Sequence, residues 1–315
     1  RTDRSNPTKS PTTVANSFKM LRHFKIRYLL AIGGNQKICN SFYLMQGVDP
    51  TEIAIIVVPK SIANGIPIPV SQSTFGYHTA RVFATELIHN LMADTEAVHR
   101  WFIVEVMGRH TGHLALSVAE AAGAQLCIIP EQFGDKKVQL RDFCDVIEAA
   151  IIKRLANGNS HGCCIISEGL FNQLTEDEQK TLYGDQEITT DASGELSIDE
   201  ANLSRAIRDE LVKRMNRREL PIRLNPKKIG YELRGANPLS LDSIYGRELG
   251  YGAIQGFKNG HSHCIVAWED GEISYHSFRS LIDQSTGLII PRKVDLSSPH
   301  YRVACSYMTF LKRSD

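Results

Sequence analysis

Residues 104–114 read Val104-Glu105-Val106-Met107-Gly108-Arg109-His110-Thr111-Gly112-His113-Leu114, an apolar run that passes through a Gly-Arg pair into a helix-compatible segment. A buried strand that leads directly into a helix is the repeating unit of α/β proteins with parallel sheets. The guanidinium of Arg109 and the N–H groups at the start of the helix would converge on one spot, which favours an anionic ligand such as a sugar phosphate. A purely structural Arg109 is the alternative.

The same pattern of an apolar run followed by turn residues recurs along the chain. The clearest runs are Tyr28–Ile32, Ile53–Val58, Trp101–Val106, Leu126–Ile129 and Cys163–Ile166. Near-continuous apolarity of this kind is typical of strands that are buried on both faces of a parallel sheet. The pattern predicts an α/β fold of two lobes with mainly parallel sheets, and we place the first lobe at residues 1–172 and the second at residues 173–315.

The periodicity of apolar residues also predicts one helix. Within Asp199–Asn216, apolar residues recur every four positions at Leu203, Ile207, Leu211 and Met215, on an otherwise charged background. This spacing puts all four side chains on one face of a helix, so we expect that stripe to belong to the core.

The composition excludes several classes of protein. Hydrophobic residues make up 42% and charged residues 23% of the 315 residues, which is ordinary globular usage, and no apolar run is long enough to span a bilayer. Lys and Arg number 36 against 35 Asp and Glu, so no overall basic charge favours nucleic acid. The seven scattered cysteines lack C-x-x-C spacing, which favours reduced core residues in a cytoplasmic protein.

Three further strand ends carry candidate ligand-binding residues. Gly33-Gly34 would let a phosphate approach the backbone, and Lys60 at the mouth of the next loop could neutralise it. Glu168, which a glycine follows, could accept hydrogen bonds from sugar hydroxyls. Ligands of open parallel sheets bind at these carboxyl ends. A ligand-free turn, a solvated lysine and a helix-capping acid are the respective structural alternatives.

In this order, and followed by Gly230-Tyr231-Glu232-Leu233-Arg234-Gly235, the motifs resemble those of the phosphofructokinases. The resemblance extends to about residue 252. It implies a Rossmann-like phosphofructokinase fold that binds fructose 6-phosphate, in a homo-oligomer or in a hetero-oligomer with a catalytic relative. It also leads us to expect a further strand and a Gly-Gly loop for the phosphoryl donor before Arg1, which a longer chain or a partner polypeptide would supply.

The resemblance implies roles for individual residues. It places the substrate on Met107, Gly108, Arg109, Glu168, Tyr231 and Arg234. It places the phosphoryl donor on Gly33, Gly34, Asn35 and Lys60, and the catalytic loop at Lys60, Ser61 and Asn64. Lys60 directly after Pro59 matches the pyrophosphate-dependent branch. Pyrophosphate is therefore the expected donor, with ATP as the second possibility, and Mg²⁺ is the metal that the family implies.

The chain departs from the family pattern at the carboxylates that drive phosphoryl transfer. The family's aspartate after Gly-Gly is Asn35 here, and the two aspartates of its Pro-Lys-Thr-Ile-Asp-Asn-Asp loop are Ala63 and Gly65. An amide is a poor ligand for a hard divalent cation, so we assign no metal ligand. Loss of a positioned general base costs about 10²–10⁴ in rate. A substitute role for His78 or Lys37 stays open.

Two hypotheses follow from this contrast. The first is a phosphofructokinase-like protein that binds fructose 6-phosphate or a related sugar phosphate and is catalytically impaired, acting as a regulatory or structural subunit. The alternative is an active 6-phosphofructokinase that uses pyrophosphate or ATP and transfers phosphate to the 1-hydroxyl of fructose 6-phosphate.

Overall fold

The computed structural model describes residues 7–8, 10–68, 72–183, 198, 201–220, 222–283 and 285–310. The strands are β1 (Tyr28–Gly33), β2 (Ala54–Pro59), β3 (Arg100–Val106), β4 (Leu126–Ile128), β5 (Gly162–Ser167), β6 (Arg223–Ile229), β7 (Cys264–Glu269) and β8 (Glu272–Ser277). The α-helices are α1 (Pro11–His23), α2 (Asn35–Met45), α3 (Tyr77–Val98), α4 (His113–Ala122), α5 (Leu140–Ala156), α6 (Glu176–Tyr183), α7 (Leu203–Arg217), α8 (Tyr231–Arg234), α9 (Ser240–Lys258), α10 (Phe278–Leu281) and α11 (Pro299–Tyr307). Two 3-10 helices cover Pro130–Phe133 and Glu168–Gln173. None of the described helices is both long and apolar enough to cross a membrane.

The chain forms two compact units that are interleaved along the sequence. The first unit combines the segment up to His78 with Pro238–Arg292. The second unit begins at Thr79, continues through α7 to Asn237, and takes in the described residues from Lys293 onward. The predicted lobes at 1–172 and 173–315 follow chain order instead, so that division stays a prediction.

The sheet of the first unit has the strand order β1-β2-β7-β8, in which only β8 runs antiparallel to its neighbour. Its strand β2 is buried on both faces. Ile55 and Val57 pack into a cluster that includes residues of α2, whereas Ile56 and Val58 pack into one that includes residues of α9. This two-sided burial is the reason that β2 reads as a continuous apolar run.

The sheet of the second unit has the order β4-β5-β3-β6, and all its strands are parallel. Strand β3 pairs with both β5 and β6. The register sets Val106 opposite Ser167 on one side and opposite Ile229 on the other. The carboxyl ends of the three strands are therefore level, and the residues that follow each strand lie at one edge of the sheet.

The predicted α/β fold with mainly parallel sheets is confirmed. All five predicted strand segments appear, as β1 to β5, with boundaries that differ by at most one residue. The predicted amphipathic helix appears as α7, and its stripe residues Leu203, Ile207, Leu211 and Met215 are all buried. The part of that prediction at Asp199 lies outside the described residues.

The buried stripe of α7 predicts that substitutions at a buried and at an exposed position of this helix change the stability very differently. Replacing the fully buried Ile207 with alanine removes apolar contacts and leaves a cavity, which we expect to lower the free energy of unfolding by about 2–5 kcal/mol. Denaturant titration followed by circular dichroism measures this loss. Arg205→Ala, at an exposed position of the same helix, is the matched control and should leave the midpoint almost unchanged. Equal midpoints for the two variants would contradict a core role for the stripe.

Candidate functional site

The six predicted substrate-binding residues all lie at the level edge of the sheet in the second unit. Met107, Gly108 and Arg109 follow β3, and Glu168 follows β5. Tyr231 and Arg234 begin and end α8, which comes directly after β6 and Gly230. Because β5 and β6 flank β3, the fold brings together three motifs that are far apart in sequence.

The carboxylate of Glu168 is held by the loop that follows β3. The backbone N–H of Gly108 donates to Glu168 Oε1 at 2.8 Å, and the glutamate is buried. Gly108 has φ +150°, and a Cβ there would lie 2.5 Å from the carbonyl oxygen of Thr111. A Cβ on Gly169 would lie 2.7 Å from the carbonyl oxygens of Gly108 and Arg109. Both positions therefore require glycine, and the close approach that they permit fixes the orientation of the carboxylate.

Arg109 and Arg234 provide positive charge at the same edge of the sheet, and Tyr231 provides a phenol. Asn172 Nδ2 donates to the carbonyl oxygen of Arg109 at 3.0 Å, which anchors the backbone at that arginine. The guanidinium of Arg234 lies 5.3 Å from the centre of the Tyr231 ring, within cation–π range, and both residues are exposed. Met107 is buried and its side chain lies beside Gly230, which precedes α8. A carboxylate with guanidinium groups suits an anion that also carries hydroxyls.

The predicted donor residues meet at the carboxyl ends of β1 and β2 in the first unit. The N–H of Lys60 donates to the carbonyl oxygen of Gly33 at 2.9 Å, and the two strands are paired up to that point. Gly34 precedes α2 and provides no side-chain cap. The N–H of Lys37 donates to the carbonyl oxygen of Gly34 at 2.9 Å. The N–H groups of Asn35 and Gln36, the first two residues of α2, are positioned to meet water or an anion. Lys60 is exposed beside them.

This end of the sheet does not offer the ligands of a dedicated magnesium site. Asn35 is the first residue of α2, and Gln36 and Lys37 follow it. These side chains are amides and an ammonium group, whereas Mg²⁺ in proteins is usually bound through carboxylates. Across the described ranges, no group of three or more His, Cys, Asp or Glu side chains is placed to hold a metal ion. The residues present do not fit a carboxylate-held cation.

Hydrogen bonds between polar groups of the predicted catalytic loop stabilise it. Ser61 Oγ accepts a hydrogen bond from the N–H of Ala63 at 3.2 Å. Asn64 is buried, and its backbone has φ +57°, a conformation that asparagine tolerates better than most residues. Its side-chain oxygen accepts from the N–H of Thr74 at 2.9 Å. The Asn64 amide that the resemblance puts near the reacting hydroxyl therefore stabilises the loop.

Arg292 also stabilises this loop through hydrogen bonds, although no sequence motif identified it. Its Nε donates to the Asn64 carbonyl oxygen at 3.2 Å, Nη1 donates to the Gln72 carbonyl oxygen at 2.7 Å, and Nη2 donates to Asn64 Oδ1. Its backbone N–H donates to the carbonyl oxygen of Gly65 at 3.0 Å. Burial lowers the pKa of Arg292, but a guanidinium stays charged at neutral pH. A cation thus bridges the segment where the resemblance expects two aspartates.

Arg292 could not be found from a local sequence pattern, because it lies 228 residues from Asn64 in sequence and belongs to no motif.

The structure also gives the positions of His78 and Lys37, the two residues suggested as substitutes for the missing catalytic groups. His78 lies at the start of α3 with its ring 5.5 Å from that of Tyr77, and Lys37 packs its aliphatic chain over Gly33. Catalytic roles for His78 and Lys37 stay predictions.

The chain is similar to known proteins of one family. The family model described as Phosphofructokinase matches residues 1–257. Over its full length the chain is 38% identical to a pyrophosphate–fructose 6-phosphate 1-phosphotransferase of Naegleria fowleri, of which the match covers 73%. It is 37% identical to the protein of the same description from Thermotoga maritima, of which the match covers 75%. The solved pyrophosphate-dependent phosphofructokinase of Marinobacter aquaeolei shares the fold, with a TM-score of 0.66 at 14% identity over 96% of this chain and 72% of that one.

The Arg292 bridge predicts how the loop responds to a conservative change. Arg292→Lys keeps the charge but cannot reproduce three side-chain hydrogen bonds in a fixed fork, so the Thr74–Asn64 bond should open more often. We expect amide hydrogen exchange of the peptide that contains Thr74 to accelerate by at least about tenfold, as breaking a hydrogen bond to a charged group costs about 1.5–3 kcal/mol.

Lys293→Ala is the control for that experiment. Lys293 bonds Asp135 at 2.9 Å in an exposed ion pair, and such pairs contribute little to stability. Unchanged exchange at Thr74 in Arg292→Lys would show that the guanidinium does not hold the loop.

Proposed function

The chain belongs to the phosphofructokinase family and resembles its pyrophosphate-dependent branch, and from that premise we propose that it binds fructose 6-phosphate or a related sugar phosphate while transferring phosphate slowly or not at all. It acts as a regulatory or structural subunit in the cytoplasm. Its protein partner is another copy of itself or a catalytic relative.

The observation that carries the proposal is a difference between two sets of predicted residues. The substrate-binding residues form the substrate-side set, and the donor and catalytic-loop residues form the transfer-side set. The substrate-side set retains the Glu168 carboxylate on the Gly108 amide, Arg109 on a backbone that Asn172 anchors, and Arg234 against Tyr231. A phosphate monoester would bind the guanidinium groups, and the carboxylate would accept hydrogen bonds from sugar hydroxyls. These contacts need neither a metal ion nor a general base.

The transfer-side set lacks the groups that phosphoryl transfer requires. A catalytic carboxylate normally takes the proton of the attacking hydroxyl, and metal ions neutralise the charge that develops on the phosphoryl group. Positions 35, 63 and 65 hold Asn35, Ala63 and Gly65, and the guanidinium of Arg292 occupies the loop instead. Loss of the base alone slows such reactions by about 10²–10⁴.

Calorimetry with fructose 6-phosphate tests the binding part of the proposal. The wild-type chain should release heat with a dissociation constant below the millimolar range, and Arg234→Ala should weaken binding by at least about tenfold, as a charge-assisted contact to phosphate is lost.

Arg223→Ala is the matched control, because Arg223 is exposed at the opposite, amino end of β6 and should not affect binding. Absence of heat at millimolar ligand, or equal affinity for the Arg234 and Arg223 variants, would refute a sugar-phosphate site at this edge.

The alternative is an active pyrophosphate-dependent phosphotransferase. Two observations favour it: the relatives at 37–38% identity carry that activity in their names, and Lys60 lies exposed beside the N-terminus of α2, where it would meet an anionic donor. His78 or Lys37 would then replace part of the lost machinery.

A coupled assay with pyrophosphate and magnesium separates the two functions. Our proposal predicts turnover at least about 10² below that of ordinary enzymes, and a measurable gain when Asn35→Asp and Ala63→Asp return a metal ligand and a base. Asn35→Asp alone is the control, because it supplies no base. High wild-type turnover that falls in Lys60→Ala, or in His78→Ala, would establish the active enzyme instead.

A further inference from the structure

Glu105 is a charged residue in the buried part of β3, two positions before Met107. Its side-chain atom Oε1 lies 3.1 Å from Lys228 Nζ. Its other oxygen, Oε2, accepts a hydrogen bond from the backbone N–H of Ser204 at 3.1 Å. A buried carboxylate is costly unless it is paired and hydrogen-bonded, and both conditions are met here.

The two partners of Glu105 belong to different elements that pack against β3. Lys228 lies on β6, directly opposite Glu105 in the strand register, and its Nζ also donates to the carbonyl oxygen of Ile198 at 3.0 Å. Ser204 is the second residue of α7, whose N-cap residue Asn202 makes no side-chain capping hydrogen bond. Glu105 provides an acceptor at that helix N-terminus, where negative charge is favourable. One side chain therefore joins β3, β6 and α7.

The apolar residues of β6 define its register only in part. Its buried residues are Leu224 and Ile229, which are separated by an odd number of positions and so lie on opposite faces of the strand. Burial of Leu224 opposes a slip of one residue, because that slip would turn its side chain to the other face. A slip of two residues keeps every side chain on its own face. The apolar pattern of β6 alone does not exclude that second slip.

We propose that the ion pair of Glu105 and Lys228 fixes the register of β6 on β3, which makes Glu105 a positioning residue for the sugar-phosphate site proposed above, on which this inference rests. A slip of two residues would set Glu105 opposite Pro226 or Gly230 and leave a buried carboxylate without its cation. Buried polar groups specify register in this way, because each alternative alignment leaves one of them unpaired.

The register of β6 decides where Tyr231 and Arg234 lie along the edge of the sheet. Lys228 precedes Tyr231 by three positions, so α8 follows the end of β6 directly. A slip of two residues would displace α8 by about 6.6 Å relative to the loop of Arg109, since a parallel strand rises roughly 3.3 Å per residue. The phosphate contact of Arg234 and the hydroxyl contacts of Glu168 would then no longer match the spacing of one bound sugar phosphate.

A neutral version of the pair separates its effect on register from its effect on stability. Lys228→Met leaves Glu105 buried without a cation, so its melting temperature should fall. Glu105→Gln/Lys228→Met removes both charges and keeps a side-chain oxygen for the N–H of Ser204, so its melting temperature should return close to that of the wild type. Amide hydrogen exchange of the peptide that contains β6 should nevertheless be at least about tenfold faster than in the wild type, because the strand then moves between registers. The affinity for fructose 6-phosphate in calorimetry should also fall by at least about tenfold, because binding then has to restore one register.

Arg223→Met is the matched control, because it removes a cation from the exposed amino end of the same strand and should change neither exchange nor affinity. Wild-type exchange at β6, or wild-type affinity, in the double variant would overturn the inference. So would a double variant that melts as low as Lys228→Met, since the pair would then act on stability alone. A wild-type chain that releases no heat with fructose 6-phosphate, while exchange at β6 responds as expected, would refute the proposed function and support the register inference.

Discussion

The hydrogen-bond register of β3 is the constraint on which the substrate side depends. Because Val106 pairs with Ser167 on one neighbour and with Ile229 on the other, three strands end at the same height. A slip of one residue in either pairing would point every side chain of that strand to the other face of the sheet. It would move the buried Leu224 of β6 to the opposite face, or disrupt the packing of the fully buried β5, so burial enforces the register. Glu168 then meets the Gly108 amide because the loops after level strands are neighbours, and the glycines allow them to touch.

The sequence predicts the fold well because its signals are local. A strand buried on both faces needs a continuous apolar run, and each of the five runs became a strand. The stripe of α7 needs only the helical period. The grouping of Met107 and Glu168 also followed from a general property of parallel sheets, since each residue comes directly after a strand, whereas Tyr231 was added to them by the resemblance. These conclusions required no knowledge of which distant residues touch.

The same reasoning could not reach Arg292, because the bond between Arg292 and Asn64 is a product of the tertiary structure. Nor could it tell that the Asn64 amide serves the loop, since an asparagine in a loop reads the same whether it faces a ligand or the backbone. The interleaving of the two units along the chain was hidden for a similar reason. Segments before His78 and after Pro238 fold together, and only contacts across that distance reveal it.

The two predicted sets of residues lie in different units of the chain, which bears on the proposal that a sugar phosphate is bound and phosphate is transferred slowly or not at all. The substrate-side loops are stabilised within the second unit by Glu168, Gly108 and Ser167, and the transfer-side loop is stabilised within the first unit by Asn64 and Arg292. The bonds that hold Glu168 and Ser167 to the loop after β3 involve residues of the second unit on both sides. On the proposed function, the Arg292 guanidinium places a positive charge at the loop where the resemblance expects two aspartates, and a positive charge attracts a phosphate that carboxylates would repel.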